Sequence, residues 1–390
     1  MGEIYFVTLI FSLFVSSYFL IVTITNFPHI KRLRRSDLKQ GPLVSVLIPC
    51  RNEELKIVQC VTSIVNQSYK NIEIVTLDDC SEDETGKVLS ELQSKYKEVV
   101  AINGKPLQEG WVGKNWACHQ LVSYANGKFL LFCDADVTYD SALIQDAITD
   151  IQESNSKFMT LFPSRNTSSI TDKFIWSFAG WTLNSWLPLI FAYRTKISFL
   201  SVGFGQFLLI DKDTYIFIGG HKAFKGTPLD DFELARAVQK SGVKWFVGAG
   251  AGRVITSGYR GFFESIKGHG RSIMPVFHNK SILMFFFWLL LLNTMWSPIA
   301  VLILSLAGIN VPQENVQIAA LSTGIICISW LMSVIKIRIS FLAALFYPLA
   351  TASVLMAALS SYVRVKRKSV EWKGRSINKY DFDSQTKNIE

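Results

Sequence analysis

Charge is scarce in this chain. Charged residues are 18% of its 390, against about 25% in an average soluble protein, while aromatics reach 13%. Disorder is thereby excluded, and a mean hydropathy of +0.26 asks for an apolar phase to hide in. Cysteine is sparse too. The six (Cys50, Cys60, Cys80, Cys118, Cys133 and Cys327) include no C-x-x-C pair and no histidine at finger spacing, which excludes a zinc finger and a disulfide-dense small frame. They read as reduced, small, buried residues, which fits a chain whose catalytic part faces the cytosol. No solenoid-period repeat, low-complexity segment or G-x-x-x-x-G-K-[ST] loop occurs, so repeat arrays and P-loop NTPases are excluded as well.

What is present points to a membrane. The length suggests two or three structural units. Forty Lys+Arg against thirty-one Asp+Glu leave +9, which suits an anionic leaflet or a nucleic acid. Much of the excess sits in Lys31–Arg35 and Arg364–Lys373 beside apolar stretches, which favours lipid headgroups and argues against nucleic acid. Ile4 to Ile24 is apolar or small, about 21 residues, enough to cross a hydrocarbon core of roughly 30 Å. Residues 1–28 are therefore expected to be an anchor, since the charged start and A-x-A site of a cleaved signal peptide are missing. Lys31, Arg32, Arg34 and Arg35 follow it and place that side in the cytoplasm by the positive-inside rule.

Ser281–Gly308, Val316–Ile335 and Ile339–Tyr362 are three more apolar stretches, giving a multi-pass C-terminal region over 281–362 and a basic cytoplasmic tail over 363–390. Three crossings would carry Arg364, Lys366, Arg367 and Lys368 outside, against the same rule. Either the rule fails or one stretch, above all the last with Pro348 inside it, is re-entrant or interfacial. Residues 174–210, rich in aromatics (Trp176, Trp181, Trp186, Phe199, Phe204) yet interrupted by Pro188, Arg194 and Lys196, are expected to lie in the headgroup region, with plain core and an extra span around Trp176 to Phe191 as the alternatives.

From 41 to 275 the composition is globular. Leu43 to Ile48, Ile72 to Leu77 and Phe129 to Phe132 are strand-like and each ends at a polar cluster. A helix over Glu54 to Asn66 is expected to bury Leu55, Val58, Val61, Thr62 and Val65. Strand, helix, strand at this spacing means an α/β domain with a mostly parallel sheet, whose ligand sits at the carboxyl ends of the strands.

Those ends carry the chemistry. Asp134 and Asp136 flank one residue after an apolar strand, and side chains two apart on a strand point the same way, so both can hold one hard cation, Mg²⁺ or Mn²⁺. Asp78 and Asp79 follow the second strand, facing the crevice, with Ser81 or Asp83 capping the next helix. After the first strand come Pro49, which ends the ladder, Arg51, suited to a phosphate or a neighbouring acid, and Glu53. Lys114 enters a helix from a glycine-flexed loop and suits an anionic leaving group. Asp230 and Asp231 open another helix, downstream of His221. Taken singly, each of these is also an ordinary cap, turn or structural residue.

In order, the pieces resemble glycosyltransferase family 2, inverting enzymes with a GT-A nucleotide-sugar-binding fold, over about Val44 to Ala235. The family's P-x-R-N-E turn is matched by Pro49, Arg51, Asn52 and Glu53. Its D-G-S-x-D-x-T stretch is matched by Asp79, Ser81, Asp83 and Thr85, with Cys80 where Gly is usual. Its D-x-D is matched by Asp134 and Asp136, and its E-D by Asp230 and Asp231, with Asp in place of Glu. The Gly110 to Cys118 loop, Phe204-Gly205, Gly219-Gly220-His221 and Val370 to Arg375 resemble the membrane-bound carotenoid-acid branch, the diaponeurosporenoate glycosyltransferases. Hopanoid-associated and hydroxycarotenoid transferases share much of this pattern. The Q-x-x-R-W of processive synthases is missing near Lys267 to Arg271, which implies transfer of a single sugar.

The resemblance implies a cell-membrane enzyme with a cytoplasmic catalytic domain that moves glucose from UDP-glucose to a carotenoid acid such as 4,4'-diaponeurosporenoate, in company with other pathway enzymes. Pro49, Arg51, Glu53, Asp79, Lys114 and Asp134 would bind the nucleotide sugar, with Asp79 on the base. Asp134 and Asp136 would hold the metal on the diphosphate. Asp231, beside Asp230, would be the base. His221 and Trp181 are expected on the acceptor side, with 174–210 and Tyr259 to Phe263 as walls. Hopanoid, hydroxycarotenoid or polyprenyl acceptors stay open, as does a non-catalytic lipid-binding scaffold.

Overall fold

Continuous runs of Val, Ile, Leu and Phe suit strands covered on both faces, and such runs build the sheet here. A computed structural model describes residues 2–277, 280–367, 369 and 371–376. The chain divides into two compact units. One comprises Met1–Ile30, Thr167–Ile190 and Gly258–Arg367; the other comprises Lys31–Asn166, Phe191–Ser257 and Lys368–Glu390.

The second unit is α/β. Its strands are β1 (Val44–Cys50), β2 (Ile72–Asp78), β3 (Val99–Asn103), β4 (Phe129–Phe132), β5 (Val137–Tyr139), β6 (Phe158–Phe162), β7 (Ser164–Asn166), β8 (Leu208–Asp211), β9 (Trp245–Ala249) and β10 (Val254–Ser257). Seven form one sheet in the order β3-β2-β1-β4-β8-β6-β9, and β5, β10 and β7 form a second. The β1–β2, β2–β3, β1–β4 and β6–β9 pairs are parallel, whereas β8 runs antiparallel to both its neighbours. The expected strands are all present, and the carboxyl ends of β1, β2 and β4 lie side by side because those strands are adjacent and parallel.

Three local expectations need correction. Pro49 does not end the ladder: β1 continues to Cys50, paired with Asp78. The carbonyl of Leu47 faces β4, where it accepts from the Cys133 N–H at 3.2 Å. Pro49, two residues on, presents its missing donor to that same side, beyond the last β1–β4 pair, Leu47 with Phe132. Secondly, the helix after β1 is Ile57–Val65 and buries Ile57, Cys60, Val61 and Ile64, an i, i+3, i+4, i+7 stripe. Leu55 lies before the helix and is 85% exposed, and Val58 is exposed as well. Thirdly, the helix after β2 is Thr85–Lys95 with Glu84 at its N-cap. Ser81 is turned instead to the Asn52 N–H, while Asp83 does accept from the Thr85 N–H at 3.0 Å.

The first unit is helical. Among the described residues, four helices are long and apolar enough to cross a membrane: Tyr5–Asn26, Ser281–Leu306, Gln313–Ile337 and Tyr347–Lys366. The last starts later than its apolar stretch, after a separate turn of helix at Phe341–Leu345, and Pro348 stands in its first turn, where a missing N–H costs nothing. Small polar groups join these helices. Thr23 meets Ser185 at 2.8 Å, Asn184 donates to Ser333 at 2.9 Å and Ser12 to the Thr294 carbonyl at 3.1 Å.

The aromatic stretch 174–210 is divided between the units. Its first half belongs to a 16-residue helix, Ile170–Ser185, of the first unit. Its second half belongs to the α/β unit and leads into β8. Trp181 is fully buried, stacked on Trp330 with ring centroids 5.2 Å apart and donating to Ser329 at 3.0 Å.

The corrected helix face is testable by thermal melting in detergent. Ile64→Ala should destabilise the protein by about 2–4 kcal/mol through the cavity it leaves, whereas Leu55→Ser should change stability by less than about 0.5 kcal/mol.

Candidate active site

The loops after β1 and β2 are laced together. The Asn52 N–H donates to Ser81, the Glu53 N–H to Thr85 at 2.8 Å, and the Glu82 N–H back to the Asn52 side chain at 2.9 Å. Asn52 and Cys80 both take positive φ, near 52°. Asn tolerates that region, whereas Cys80 bears the strain that a glycine would avoid. Arg51, only 5% exposed, donates to the Asp79 carbonyl at 2.8 Å, to the Cys80 carbonyl and to Glu82 at 2.8 Å. It braces the loop from within.

Asp78 and Asp79 differ in role. Asp78 turns to the Ser81 N–H at 3.0 Å. Asp79 is 1% exposed, and its Oδ1 has no hydrogen-bond partner among the described residues. Burial pushes its carboxyl up, opposed by the Arg375 guanidinium bonded to it.

At the end of β4, Lys114 joins the remaining acids. From the start of the helix Gly113–Val122 its Nζ lies 2.9 Å from Asp134 Oδ1 and 3.1 Å from Asp230 Oδ2. Burial alone would lower the ammonium, but Asp134, Asp230 and Asp231 outweigh it and hold the group well above its usual range. Gln206 donates to Asp134 Oδ2 at 3.0 Å, and the Gly205 N–H donates to Asp231 Oδ2 at 3.1 Å. A Cβ on Gly205 would stand 3.1 Å from Lys114 Nζ and 3.6 Å from both Asp134 Oδ2 and Asp231 Oδ2, so the ammonium and the two carboxylates face one small space. Burial, then the neighbouring Asp230 carboxylate, pushes Asp231 up to about 7.

Asp136 is pushed up as well, by burial and then by Asp134, and Lys56 Nζ lies 3.6 Å from its Oδ2. Four carboxylates thus meet two ammoniums, and the oxygen donors of Asp134 and Asp136 suit a hard divalent cation that would offset the surplus. A second set, Cys118, His221 and Asp230, has ligand atoms within 4.8 Å of one another. It reads instead as neutral lining: burial pushes the Cys118 thiol up and His221 down to about 3, and Asp230 is already paired with Lys114.

Asp79, Lys114, Asp134, Asp136, Asp230 and Asp231 all lie in the α/β unit, at or after strand ends or at helix starts. His221 is in that unit but fully buried, bonded to the Tyr215 hydroxyl at 2.9 Å. It offers no ring surface to an acceptor, and neither does the enclosed Trp181. Sequence reading missed Lys56, Gly203 and Gln206, gave Arg375 no role, and set Lys373 among the residues facing lipid headgroups, whereas its ammonium lies 2.9 Å from Glu53. Only the glycine pair in Val202 to Gly205 hinted at a close approach.

A mostly parallel α/β sheet with acids gathered beyond β1, β2 and β4 defines the class, a GT-A glycosyltransferase fold. The family model of glycosyl transferase family 2 matches residues 45–208. A 4,4'-diaponeurosporenoate glycosyltransferase of Staphylococcus haemolyticus (strain JCSC1435) is 28% identical over 202 residues, 50% of this chain and 52% of the relative. One of Staphylococcus aureus (strain USA300) is 28% identical over 253 residues, 60% of this chain and 63% of the relative. The matches thus span between half and two thirds of these relatives. The fold is similar to that of a mannosyltransferase from Pyrobaculum calidifontis solved with GDP-Man and Mn²⁺, with a TM-score of 0.53 and 12% identity, covering 91% of this chain and 98% of that one.

Gly203 gives a direct test of the geometry. A Cβ there would lie 2.2 Å from the Asp231 carbonyl oxygen, backbone that cannot yield without moving the helix Asp230–Ser241. Gly203→Ala should lower the melting temperature, while Gly261→Ala, whose Cβ would meet nothing within 4 Å, should leave it unchanged.

Proposed function

We propose that this chain is a membrane-bound inverting transferase that moves one hexose, glucose from UDP-glucose, to an apolar acceptor, a C30 carotenoid acid of the 4,4'-diaponeurosporenoate type. The observation that carries this reading is the meeting of Asp134 and Asp230 on Lys114, with Asp231 held beside them by the Gly205 N–H and Asp79 beyond β2 of the same sheet. The names of the relatives support the acceptor, and the four apolar helices suit a substrate dissolved in lipid.

In this reading Asp79 Oδ1 accepts an N–H from the base. Asp134 and Asp136 would hold Mg²⁺ or Mn²⁺, which when bound draws charge from the diphosphate as the bond to the sugar breaks. Asp231 takes the proton of a hydroxyl acceptor. A carboxylic acid is already ionised near neutral pH, and Asp231 then orients it. In this reading the basic tail stays with the catalytic unit on the cytoplasmic side, a placement supported by the pairing of Lys373 and Arg375 with Glu53 and Asp79 inside the α/β unit, and an even number of the C-terminal apolar helices crosses.

Protein purified in detergent should release UDP from UDP-glucose when given a carotenoid acid, and chelation of divalent ions should stop it. Asp136→Ala should cost about 100-fold in turnover; full turnover in the presence of chelator would overturn the metal assignment. With a hydroxylated acceptor, Asp231 is protonated and idle below its pKa, so kcat/KM should rise with pH through about 7. Asp231→Asn should remove that limb and cost about 10²–10⁴-fold in kcat. With a carboxylic acid acceptor both effects should shrink.

A further inference from the structure

Residues 371–376 form a two-residue hairpin, β11 (Glu371–Trp372) and β12 (Arg375–Ser376), in which Trp372 pairs with Arg375. Its turn residues Lys373 and Gly374 both take positive φ, 49° and 78°, as a tight hairpin turn requires. This hairpin, some three hundred residues downstream, closes on the loops after β1 and β2. Arg375 donates to Asp79 Oδ2 at 2.6 Å and to the Asp79 carbonyl at 3.0 Å. Lys373 Nζ lies 2.9 Å from Glu53 Oε1 and donates to the Asn52 carbonyl at 3.0 Å, while its own carbonyl accepts from Arg51 Nε at 3.1 Å.

We propose that this hairpin is part of the nucleotide-binding machinery, with Arg375 the positioning residue that sets Asp79 for the base of the nucleotide sugar and Lys373 the residue that fixes the loop after β1. The inference rests on the nucleotide-sugar reading above. With Oδ2 and the carbonyl of Asp79 held by one guanidinium, Oδ1 is the acceptor left over, buried and without a partner among the described residues. A buried carboxylate oxygen is stable only with a donor, and a base N–H supplies one. Arginine suits the task because its planar fork fixes both contacts at once, which a lysine ammonium cannot do. The charge matters too. Burial pushes Asp79 up and Arg375 is the foremost group holding it down, so without Arg375 the carboxyl protonates more readily and Oδ1 loses acceptor strength as pH falls. Lys373 acts more widely: it holds down Glu53 and contributes to holding down Asp136.

The experiment is calorimetric titration of the full chain in detergent with UDP and Mn²⁺, between pH 6 and 8, together with steady-state kinetics on UDP-glucose. Arg375→Ala should weaken UDP binding by about tenfold or more, the loss of one charge-assisted bond. The deficit should deepen toward pH 6, and KM for the donor should rise more than kcat falls. Arg375→Lys, which keeps the charge and loses the fork, should recover part of the affinity and most of the pH independence. A purely structural arginine would change the melting temperature without this pH signature. Where Arg375→Ala does not fold, Arg375→Lys and Lys373→Ala decide: a raised donor KM with kcat retained supports the inference, and unchanged KM overturns it. Wild-type affinity for UDP in both Arg375 variants overturns it outright. Wild-type protein that binds no nucleoside diphosphate overturns the proposed function itself, and this inference with it.

Discussion

The carboxyl edge of the sheet depends on one ammonium. Asp134 and Asp230 arrive from separate elements, a strand end and a helix start, and Lys114 touches both. Two carboxylates brought together away from water repel, and the repulsion is removed either by protonation or by a cation. Lys114 supplies the cation for Asp134 and Asp230. Asp231, whose oxygens are met by backbone N–H groups of Gly205 and Phe232 rather than by a full charge, is the one displaced toward neutral pH. A single set of neighbours thus pairs Asp230 with an ammonium and leaves Asp231 displaced toward neutral pH. That division of labour follows from placement in the fold, because the two residues are chemically identical and adjacent in the chain.

How much of this was legible beforehand varied with the range of the forces involved. The strands β1, β2 and β4 were readable because each is an unbroken apolar run that stops at a polar cluster, and the acids at their ends followed from the spacing. The helix after β1 was recognised, but its buried face was misread. Both Leu55 and Ile57 are apolar, and what selects Ile57 is where the helix starts, just after its N-cap Lys56. The three-residue strands β5 and β7 left no pattern of their own, since pairing with β10 holds them in place. Least legible were Lys373 and Arg375. Their partners lie near the other end of the chain, and nothing local marks a basic pair as loop-binding rather than lipid-facing.

The helical unit uses a different chemistry of cohesion. In an apolar surrounding, packing apolar faces together yields little, so small hydroxyl and amide groups between helices carry more of the specificity. Asn26 is the clearest case, with its amide donating to the Asn184 and Leu187 carbonyls and accepting from the Leu189 N–H. It ties the first apolar helix to the end of the helix Ile170–Ser185, well before the other three apolar helices occur in the chain. The aromatic residues that suggested a headgroup belt are in part spent on this packing, as the stacked pair of Trp181 and Trp330 makes plain.

The α/β unit is assembled from three separated lengths of chain, and the last of them leaves the ribosome only after every apolar helix has been made. The main sheet and its acid cluster can be complete while the hairpin that grips Asp79 is still unsynthesised. A nascent chain halted at any of the three C-terminal apolar helices would therefore have its sheet but not its clasp.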